Sequence, residues 1–496
     1  MRVAEHLAST HAVAATTPTQ GDLSGVPLCI DCDGTLLRTD LLHESVFLLL
    51  KQSPLVLLML PFWLVRGRAY MKERVAASVS FSDATLPFNA DVVALAREAT
   101  RAGRKVVLAT ASPRAFAEQV VAGCPAKFDE VLASEHGHNL KGHSKAQALV
   151  RRFGERGFDY AGNSRSDLPV WAVARAAVIV STDRSLAAAA AATTPVERVV
   201  AVEPPRMRDY VRAMRPHQWL KNLLVFVPLL ADHRLDELDT LLKACWTFVA
   251  FSLFASAAYV FNDLLDLESD RRHMRKRARP FASGRIPVWH GAVALPALLG
   301  GALAIVWQLP WGVGAVLAIY FACTLAYSVR LKRQPIVDVM MLASLYTLRV
   351  FTGGAATDIK PSFWLLAFCM FVFLSLAFVK RYSELSQTLR RNELTAAGRG
   401  YSVNDLPTLM ALGTSSGMMA VLVLALYLNH VDIVVENHDA RWWWLMPPLL
   451  LYWICRLWMK AHRGEVHDDP VVFAVRDWQS LLMLSMCAVL FMVGAR

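Results

Sequence analysis

The stretch "YVFNDLLDLESDRRHMRKRARP", Tyr259 to Pro280, decides how the second half of the chain is interpreted. It leaves an apolar segment, passes four carboxylates and runs directly into a dense group of Arg and Lys residues. Charged side chains near lipid are costly unless they are paired, hydrated or bound to a metal. We therefore expect this stretch to carry chemistry at the mouth of a membrane segment.

The chain has 496 residues, of which 55% are hydrophobic. The distribution of apolar runs divides it into a part that faces water and a part that faces lipid. Runs long enough to cross a bilayer recur only from Asn222 onward. We predict a disordered leader over 1–25, a soluble α/β domain over 26–203 and an all-α transmembrane bundle over 206–496. Nine spans are predicted, at about 222–231, 239–262, 288–308, 311–328, 335–355, 362–380, 407–429, 442–460 and 478–494.

Lys and Arg residues predict the orientation of the bundle. They concentrate before the first span and after spans two, four, six and eight, whereas the opposite loops hold only Arg234, Lys360 and Arg441. By the positive-inside rule, the basic side is cytoplasmic. This predicts a multi-pass protein of the inner (plasma) membrane with a cytoplasmic α/β domain. The net charge of +11 then reflects topology, and no nucleic-acid partner is expected.

The acidic residues of the opening stretch have helical spacing. Asn262, Asp263, Asp266 and Asp270 share roughly one stripe if the helix continues for two turns beyond the span. Such oxygen ligands suit Mg²⁺, which commonly binds one or two carboxylates together with substrate phosphates. We predict a magnesium-bound diphosphate there, with Arg279 as a further phosphate ligand or as a topology signal.

The motif "NDLLDLESD" resembles the NDxxDxxxD signature of the UbiA prenyltransferase superfamily. That resemblance implies a nine-helix intramembrane transferase. It also implies a second aspartate-rich motif, which in 326–339 is represented only by Asp338, a predicted metal ligand, with Tyr327 and Lys332 nearby. The replacement of acids by bases favours substrates that are richer in phosphate.

Four further stretches, "RPHQWLKN", "YSVRLKR", "RVFTGGAAT" and "KRYSEL", resemble the decaprenyl-phosphate phosphoribosyltransferase branch of this superfamily. That branch implies phosphoribosyl diphosphate as the diphosphate donor and a polyprenyl phosphate as the acceptor. Both are anionic, so basic side chains are expected to bind them, although each could instead be an interface charge that snorkels. The candidates are Arg215, Lys221, Lys332, Arg349, Lys380 and Arg381.

The first half carries an ordered set of polar residues at predicted strand ends. Asp31 and Asp33 follow the strand in "VPLCIDCDGTLLRTD", and Thr110 and Ser112 follow a second strand. Lys145 opens a helix. The carboxyl ends of strands in open α/β sheets are where ligands bind.

With "FDYAGNSRSDLPVW", which supplies Asn163 and Asp167, this order resembles the haloacid-dehalogenase phosphatase superfamily with a cap over about 38–100. The resemblance implies that Asp31 is the nucleophile and Asp33 the acid and base. Thr110 and Ser112 would bind phosphate, and Lys145 would neutralise its charge. A magnesium site would involve Asp31, Asp33, Asn163 and Asp167, although the superfamily usually has Asp where Asn163 stands. A purely structural domain is therefore the alternative.

The two halves suggest a pathway in which the transferase makes a phosphoribosyl lipid and the phosphatase removes its 5-phosphate. An aromatic prenyltransferase that uses a prenyl diphosphate, for example with 4-hydroxybenzoate, is the alternative enzyme. A non-catalytic membrane scaffold with a phosphate-sensing domain is the alternative of another class. Lipid length and oligomeric state stay open.

Overall fold

The computed structural model describes residues 25–53, 55–79, 81, 86–135, 138–232, 234–273, 276–390, 400–429, 440–466 and 469–494. The predicted leader therefore lies outside the described residues, except for Gly25. The chain divides into two compact units. The first comprises Met1–Arg206 with Leu264–Trp289, and the second comprises Met207–Asp263 with His290–Arg496.

The first unit contains the predicted α/β domain, built on a six-stranded parallel sheet of order β3-β2-β1-β4-β5-β6. The strands are β1 (Leu28–Ile30), β2 (Val106–Pro113), β3 (Glu130–Ser134), β4 (Asp159–Gly162), β5 (Ala176–Val180) and β6 (Val196–Val200). The helices are α1 (Leu41–Gln52), α2 (Leu60–Val65), α3 (Arg68–Ser78), α4 (Ala90–Arg101), α5 (Arg114–Gly123), α6 (His143–Phe153), α7 (Leu168–Val173) and α8 (Arg184–Ala191).

Strand β1 lies at the centre of the sheet because it pairs with β2 on one side and β4 on the other. Its three residues are buried, as the continuous apolar run "LCI" predicts for a strand covered on both faces. The strand order reverses at β1, and the chain leaves its carboxyl end directly into Asp31. A reversal of this kind creates a crevice at the ends of the strands.

The segment after the acidic motif is packed within the first unit. Arg271 donates to both carboxylate oxygens of Glu44 on α1, at 2.8 and 2.5 Å, and to the carbonyl of Ala282. The side chains of Arg271 and Glu44 are only 6% and 2% exposed. Lys51, at the end of α1, donates to Asp266 at 3.0 Å. Two ion pairs therefore fix this segment to α1.

The remaining helices, in chain order, are α9 (Met207–Met214), α10 (Val227–Ala231), α11 (Leu238–Leu265), α12 (Leu267–Arg272), α13 (Val288–Val306), α14 (Trp311–Val329), α15 (Val337–Thr357), α16 (Phe363–Leu389), α17 (Leu406–Leu428), α18 (Met446–Arg463), α19 (Pro470–Arg476) and α20 (Trp478–Gly494). Among the described residues, six helices are long and apolar enough to cross a membrane, namely α11 and α13 to α17. A seventh span results if α19 and α20, which meet at 84°, form one broken helix.

The predicted count of nine spans is therefore not confirmed. The first predicted span corresponds to a 3₁₀ helix, Pro216–Phe226, followed by the five-residue helix α10, which is too short for a 30 Å hydrocarbon core. Helix α18 carries Lys460 and Arg463 in its last turn and Arg456 before it, which shortens its apolar part. The protein is nevertheless a multi-pass membrane protein.

The predicted continuous acidic stripe is also interrupted. Helix α11 ends at Leu265, and Asp266 (φ −104°, ψ 16°) precedes a separate short helix, α12, that contains Asp270. Asp270 is still linked to Asp266 through a backbone hydrogen bond of 2.8 Å. The spacing of the acids thus predicted helix on both sides of Asp266 but not the break at it.

Candidate functional sites

The carboxyl end of β1 brings Asp31 and Lys145 together in the first unit. The Lys145 Nζ donates to Asp31 Oδ1 at 2.6 Å and to the hydroxyl of Tyr160 at 2.8 Å, and that hydroxyl donates to Asp167 Oδ1 at 3.1 Å. Burial raises the pKa of Asp31, and the charge of Lys145 opposes that shift. The lysine therefore favours the ionised carboxylate that a nucleophile requires.

Asp33 accepts its hydrogen bonds from neutral donors. Its Oδ1 accepts from the Leu41 N–H at 2.9 Å, and its Oδ2 accepts from the Ser112 hydroxyl at 2.7 Å. Burial, followed by the charge of Asp40, raises the pKa of Asp33 to about 7. Asp31 is paired with the Lys145 ammonium group, whereas Asp33 is bonded to neutral donors. Two carboxyl groups in such different surroundings are suited to separate nucleophile and acid–base roles.

Asn163 and Thr110 belong to the same site as Asp31 and Asp33. A Cβ on Gly34, whose φ is +76°, would lie 2.2 Å from Asn163 Nδ2, so the amide approaches the backbone of the loop after β1. The Asn163 and Ser164 N–H groups donate to Asp167 Oδ2 at 3.2 and 3.0 Å. Thr110, fully buried, accepts from the Ser112 N–H at 3.0 Å.

Lys72 was missed by sequence reasoning, although it lies beside this site. Its Nζ donates to the carbonyl of Ala111, between Thr110 and Ser112, at 3.1 Å. Burial lowers the pKa of Lys72, whereas Asp33 and Asp40 oppose that effect. A helix of the cap region thus brings a second ammonium group to the carboxyl end of β2. No local motif marks it, because Lys72 is one of several charged residues on α3 and its spacing does not distinguish it from the others.

The three aspartates of the NDxxDxxxD motif are each paired with a cation. In the second unit, Arg215 donates to Asp263 at 2.5 Å, and its guanidinium lies 5.2 Å from the Tyr259 ring centroid. In the first unit, Arg279 donates to Asp270 at 2.5 Å, and Lys51 donates to Asp266. Asn262 lies half-buried on α11. The acids that a metal would need are thus engaged in ion pairs in this structure.

Four charged side chains lie around Tyr346 in the second unit, and all but the partly exposed Lys380 are buried. With the tyrosine we call them the basic cluster: Lys221, Tyr346, Arg349, Lys380 and Asp469. Lys221 Nζ lies 2.5 Å and Lys380 Nζ 3.5 Å from Asp469 Oδ2, and the Tyr346 hydroxyl donates to Asp469 Oδ1 at 3.3 Å. Sequence reasoning found the three bases but missed Asp469. Its position before Pro470 signals a helix start, which does not reveal a counter-ion.

Arg349 also lies near the Tyr346 ring and is only 4% exposed. It donates to Asn222 Oδ1 at 3.0 Å, to the Leu345 carbonyl at 2.5 Å and to the Tyr320 hydroxyl at 2.9 Å. Its guanidinium also lies 5.1–5.3 Å from the ring centroids of Phe251, Tyr320 and Tyr346. Within the described ranges, no carboxylate pairs with it. The basic cluster therefore carries three cations and one carboxylate.

Arg381 and Tyr327 belong to a different group. Arg381 donates to Asp338, to Glu384 and, at 2.7 Å, to the Tyr327 hydroxyl, and the Tyr401 hydroxyl donates to Asp338 as well. Asp338 is fully buried and Arg381 is 2% exposed. The residue predicted as a metal ligand thus has two strong hydrogen-bond donors.

Lys332, by contrast, is half-buried in a 3₁₀ turn. The described residues contain no group of three or more Asp, Glu, His or Cys side chains arranged to hold a metal ion. The chemistry of the donors still suits Mg²⁺: Asp31, Asp33, Asp167 and the Asn163 amide in one unit, and the acids of the NDxxDxxxD motif.

Comparison with known families agrees with both halves of this description. The UbiA prenyltransferase family matches residues 224–486, and the haloacid dehalogenase-like hydrolase family matches residues 28–171. These matches confirm the two families predicted from the motifs and their fusion in one chain.

Similar proteins occur in several bacteria. An uncharacterized protein of Sinorhizobium fredii is 36% identical over 472 residues, which are 95% of this chain and 91% of the relative. The nodulation protein NoeC of Azorhizobium caulinodans is 36% identical over 280 residues, 55% of this chain and 89% of the relative. Decaprenyl-phosphate phosphoribosyltransferase of Mycolicibacterium smegmatis is 34% identical over 275 residues, 54% of this chain and 86% of the relative.

Proposed function

Because the chain belongs to the UbiA prenyltransferase family and carries a haloacid dehalogenase-like domain, we propose that it makes a ribosylated polyprenyl phosphate in two steps. The membrane unit transfers 5-phosphoribosyl from phosphoribosyl diphosphate to a polyprenyl phosphate. The α/β domain then removes the 5-phosphate. Both sites would face the cytoplasm from the inner membrane.

The basic cluster is the observation that carries the first step. Lys221 and Lys380 share the Asp469 carboxylate, and the buried Arg349 has no carboxylate partner among the described residues, so the cluster has a surplus of positive charge inside a membrane protein. Such a surplus is costly unless a ligand compensates for it. A diphosphate donor and a phosphate acceptor together supply that compensation, whereas a neutral aromatic acceptor supplies less. The similarity to a protein of Mycolicibacterium smegmatis named decaprenyl-phosphate phosphoribosyltransferase also supports this choice of substrates.

In the transfer step, an oxygen of the lipid phosphate forms a bond to C1 of the ribose while the bond from C1 to the diphosphate oxygen breaks. Lys221, Arg349 and Lys380 bind phosphate oxygens and offset charge as it develops on the departing diphosphate. Arg215, Arg279 and Lys332 are proposed to bind further phosphate oxygens, and Asn262 and Tyr327 to contact substrate. Orientation of the two substrates supplies much of the rate.

Asp338 is proposed to hold Arg381 through their buried ion pair, which makes Arg381 available to substrate in a fixed orientation. Mg²⁺, held by Asp263, Asp266 and Asp270 and, in the α/β domain, by Asp31, Asp33, Asn163 and Asp167, would supply positive charge to phosphate oxygens.

In the second step, Asp31 attacks the 5-phosphorus and the bond to the ribose O5 breaks. Asp33 gives its proton to that departing oxygen, and later accepts a proton from the water that hydrolyses the aspartyl-phosphate. Lys145 offsets the charge of the phosphoryl group, and the Thr110 and Ser112 hydroxyls orient it. Asn163 contributes no charge to the ion, so this site is expected to need more Mg²⁺ than one with Asp.

One assay separates the proposals. Membranes containing the protein receive phosphoribosyl diphosphate labelled in the ribose, together with a polyprenyl phosphate and Mg²⁺. We expect label in the lipid fraction, diphosphate release and, with time, free phosphate. Transfer of label from a prenyl diphosphate to 4-hydroxybenzoate instead would establish the aromatic prenyltransferase. Absence of both products, with the protein folded, would favour the scaffold.

A further inference from the structure

The cap region of the α/β domain exposes an unusual number of large apolar side chains. We call Leu55, Leu58, Met59, Phe62, Leu64 and Val65 the apolar patch. Their exposed fractions run from 48% for Met59 to 89% for Val65. Single exposed apolar residues are ordinary, but six within eleven positions indicate a binding surface.

The opposite side of the same segment is anchored in the domain core. Trp63 is 8% exposed, and Val56, Leu57 and Leu60 pack against the buried core of the sheet and cap. The 3₁₀ turn Val56–Met59 and helix α2 therefore have two apolar faces, one used for folding and one open. The open face cannot be explained by packing within the described part of the chain.

Charge around the apolar patch indicates what covers it. Between Glu44 and Glu73 the chain has no acidic residue but has four basic ones, Lys51, Arg66, Arg68 and Lys72. Lys51 is paired with Asp266 and Lys72 donates to the Ala111 carbonyl, so Arg66 and Arg68, which follow the patch directly in the sequence, are the two that bear on its partner. Basic residues that flank an apolar face are complementary to a bilayer containing anionic lipid, since each contributes attraction at the headgroups. The same chain crosses a membrane, so a bilayer surface is always within its reach.

We propose that the apolar patch inserts into the headgroup–acyl boundary of an anionic bilayer and holds the α/β domain on the membrane surface. Helix α3, which follows the patch after two residues, carries Lys72 to the carbonyl of Ala111, between Thr110 and Ser112 on β2. Insertion of the patch would thus bring this end of β2 near phosphate groups presented at the membrane. This consequence for catalysis rests on the proposed function, whereas insertion itself does not.

Photo-crosslinking of the full-length protein in liposomes tests the insertion directly. A photoreactive amino acid replaces Phe62 and, as a matched control, Val199, an apolar residue of β6 that is 52% exposed. We expect lipid adducts at position 62 and few at position 199. Yield at position 62 should fall when anionic lipid is replaced by zwitterionic lipid. Adducts to a second copy or another protein instead of lipid would overturn the proposal.

A paired substitution tests the consequence. Leu58→Glu with Phe62→Glu removes two exposed apolar side chains, so folding should be retained, and insertion should weaken by about tenfold or more. We expect phosphate release from a lipid-linked phosphoribosyl substrate to fall while hydrolysis of p-nitrophenyl phosphate is unchanged. Val199→Glu is the control. If the wild type forms lipid adducts but has no phosphatase activity, the proposed function fails and the membrane surface stands.

Discussion

Loss of the Asp469 carboxylate should lower the free energy of unfolding more than loss of either lysine that pairs with it. Asp469→Asn removes the carboxylate from Lys221 at 2.5 Å and Lys380 at 3.5 Å, leaving both ammonium groups without their counter-ion. Lys221→Met leaves the carboxylate with Lys380, the Tyr346 hydroxyl at 3.3 Å and the Val471 N–H at 3.2 Å. The two substitutions break the same ion pair, but Asp469→Asn leaves two ammonium groups without a counter-ion, whereas Lys221→Met leaves a carboxylate that keeps its other partners.

The magnitudes follow from burial. The side chains of Lys221 and Asp469 are both 8% exposed, and breaking a buried pair at one side costs about 3–5 kcal/mol. We expect a loss in this range for Asp469→Asn and a smaller loss of about 1–3 kcal/mol for Lys221→Met, since a lost buried hydrogen bond costs that much. The double variant should be less destabilised than the sum of the two, with a coupling of about 0.5–3 kcal/mol.

Equilibrium unfolding in mixed micelles of dodecyl maltoside and SDS measures these free energies. Asp239→Asn is the matched control, because Asp239 also pairs with a lysine, Lys243 at 2.6 Å, but its side chain is 80% exposed. It should cost less than about 1 kcal/mol. Equal losses of unfolding free energy for Lys221→Met and Asp469→Asn, or strict additivity in the double variant, would show that the groups left behind do not determine the cost.

Four further substitutions test separate parts of the chain. Asp31→Asn should stop phosphate release but not diphosphate release, so that the 5-phosphorylated lipid accumulates; unchanged products would exclude the α/β domain as the phosphatase. Asp263→Asn should abolish diphosphate release in a folded protein, and near-normal turnover with an unchanged Mg²⁺ requirement would remove this acid from the site. Lys72→Met should raise KM for the phosphorylated lipid with a smaller effect on kcat, and the opposite split would exclude a binding role. Glu44→Gln should speed amide hydrogen exchange in the segment 276–289, because Arg271 loses its buried carboxylate; unchanged exchange would show that the pair does not hold this segment.

Both families could be identified from the sequence because their signatures are local. The order of Asp31, Thr110, Lys145 and Asp167 follows the ends of successive strands and one helix start, and parallel strands bring such ends together. Apolar runs likewise predicted the positions of the long helices, whose ends differ from prediction by a few residues except for the longer α16. The nine-span count was not confirmed where the apolar runs were short, in 222–231, or charged, in α18.

What only the tertiary structure decided is which charges meet. Asp469 pairs with Lys221 across 248 positions, Glu44 with Arg271 across 227, and Lys72 reaches the carbonyl of Ala111 across 39. Hydrophobic periodicity records which face of a helix is buried, but it does not record which residue of another element lies opposite that face. The sequence by itself therefore determined the two families and the candidate acids of each site, while the counter-ions that set the charge of each site depended on how the elements pack.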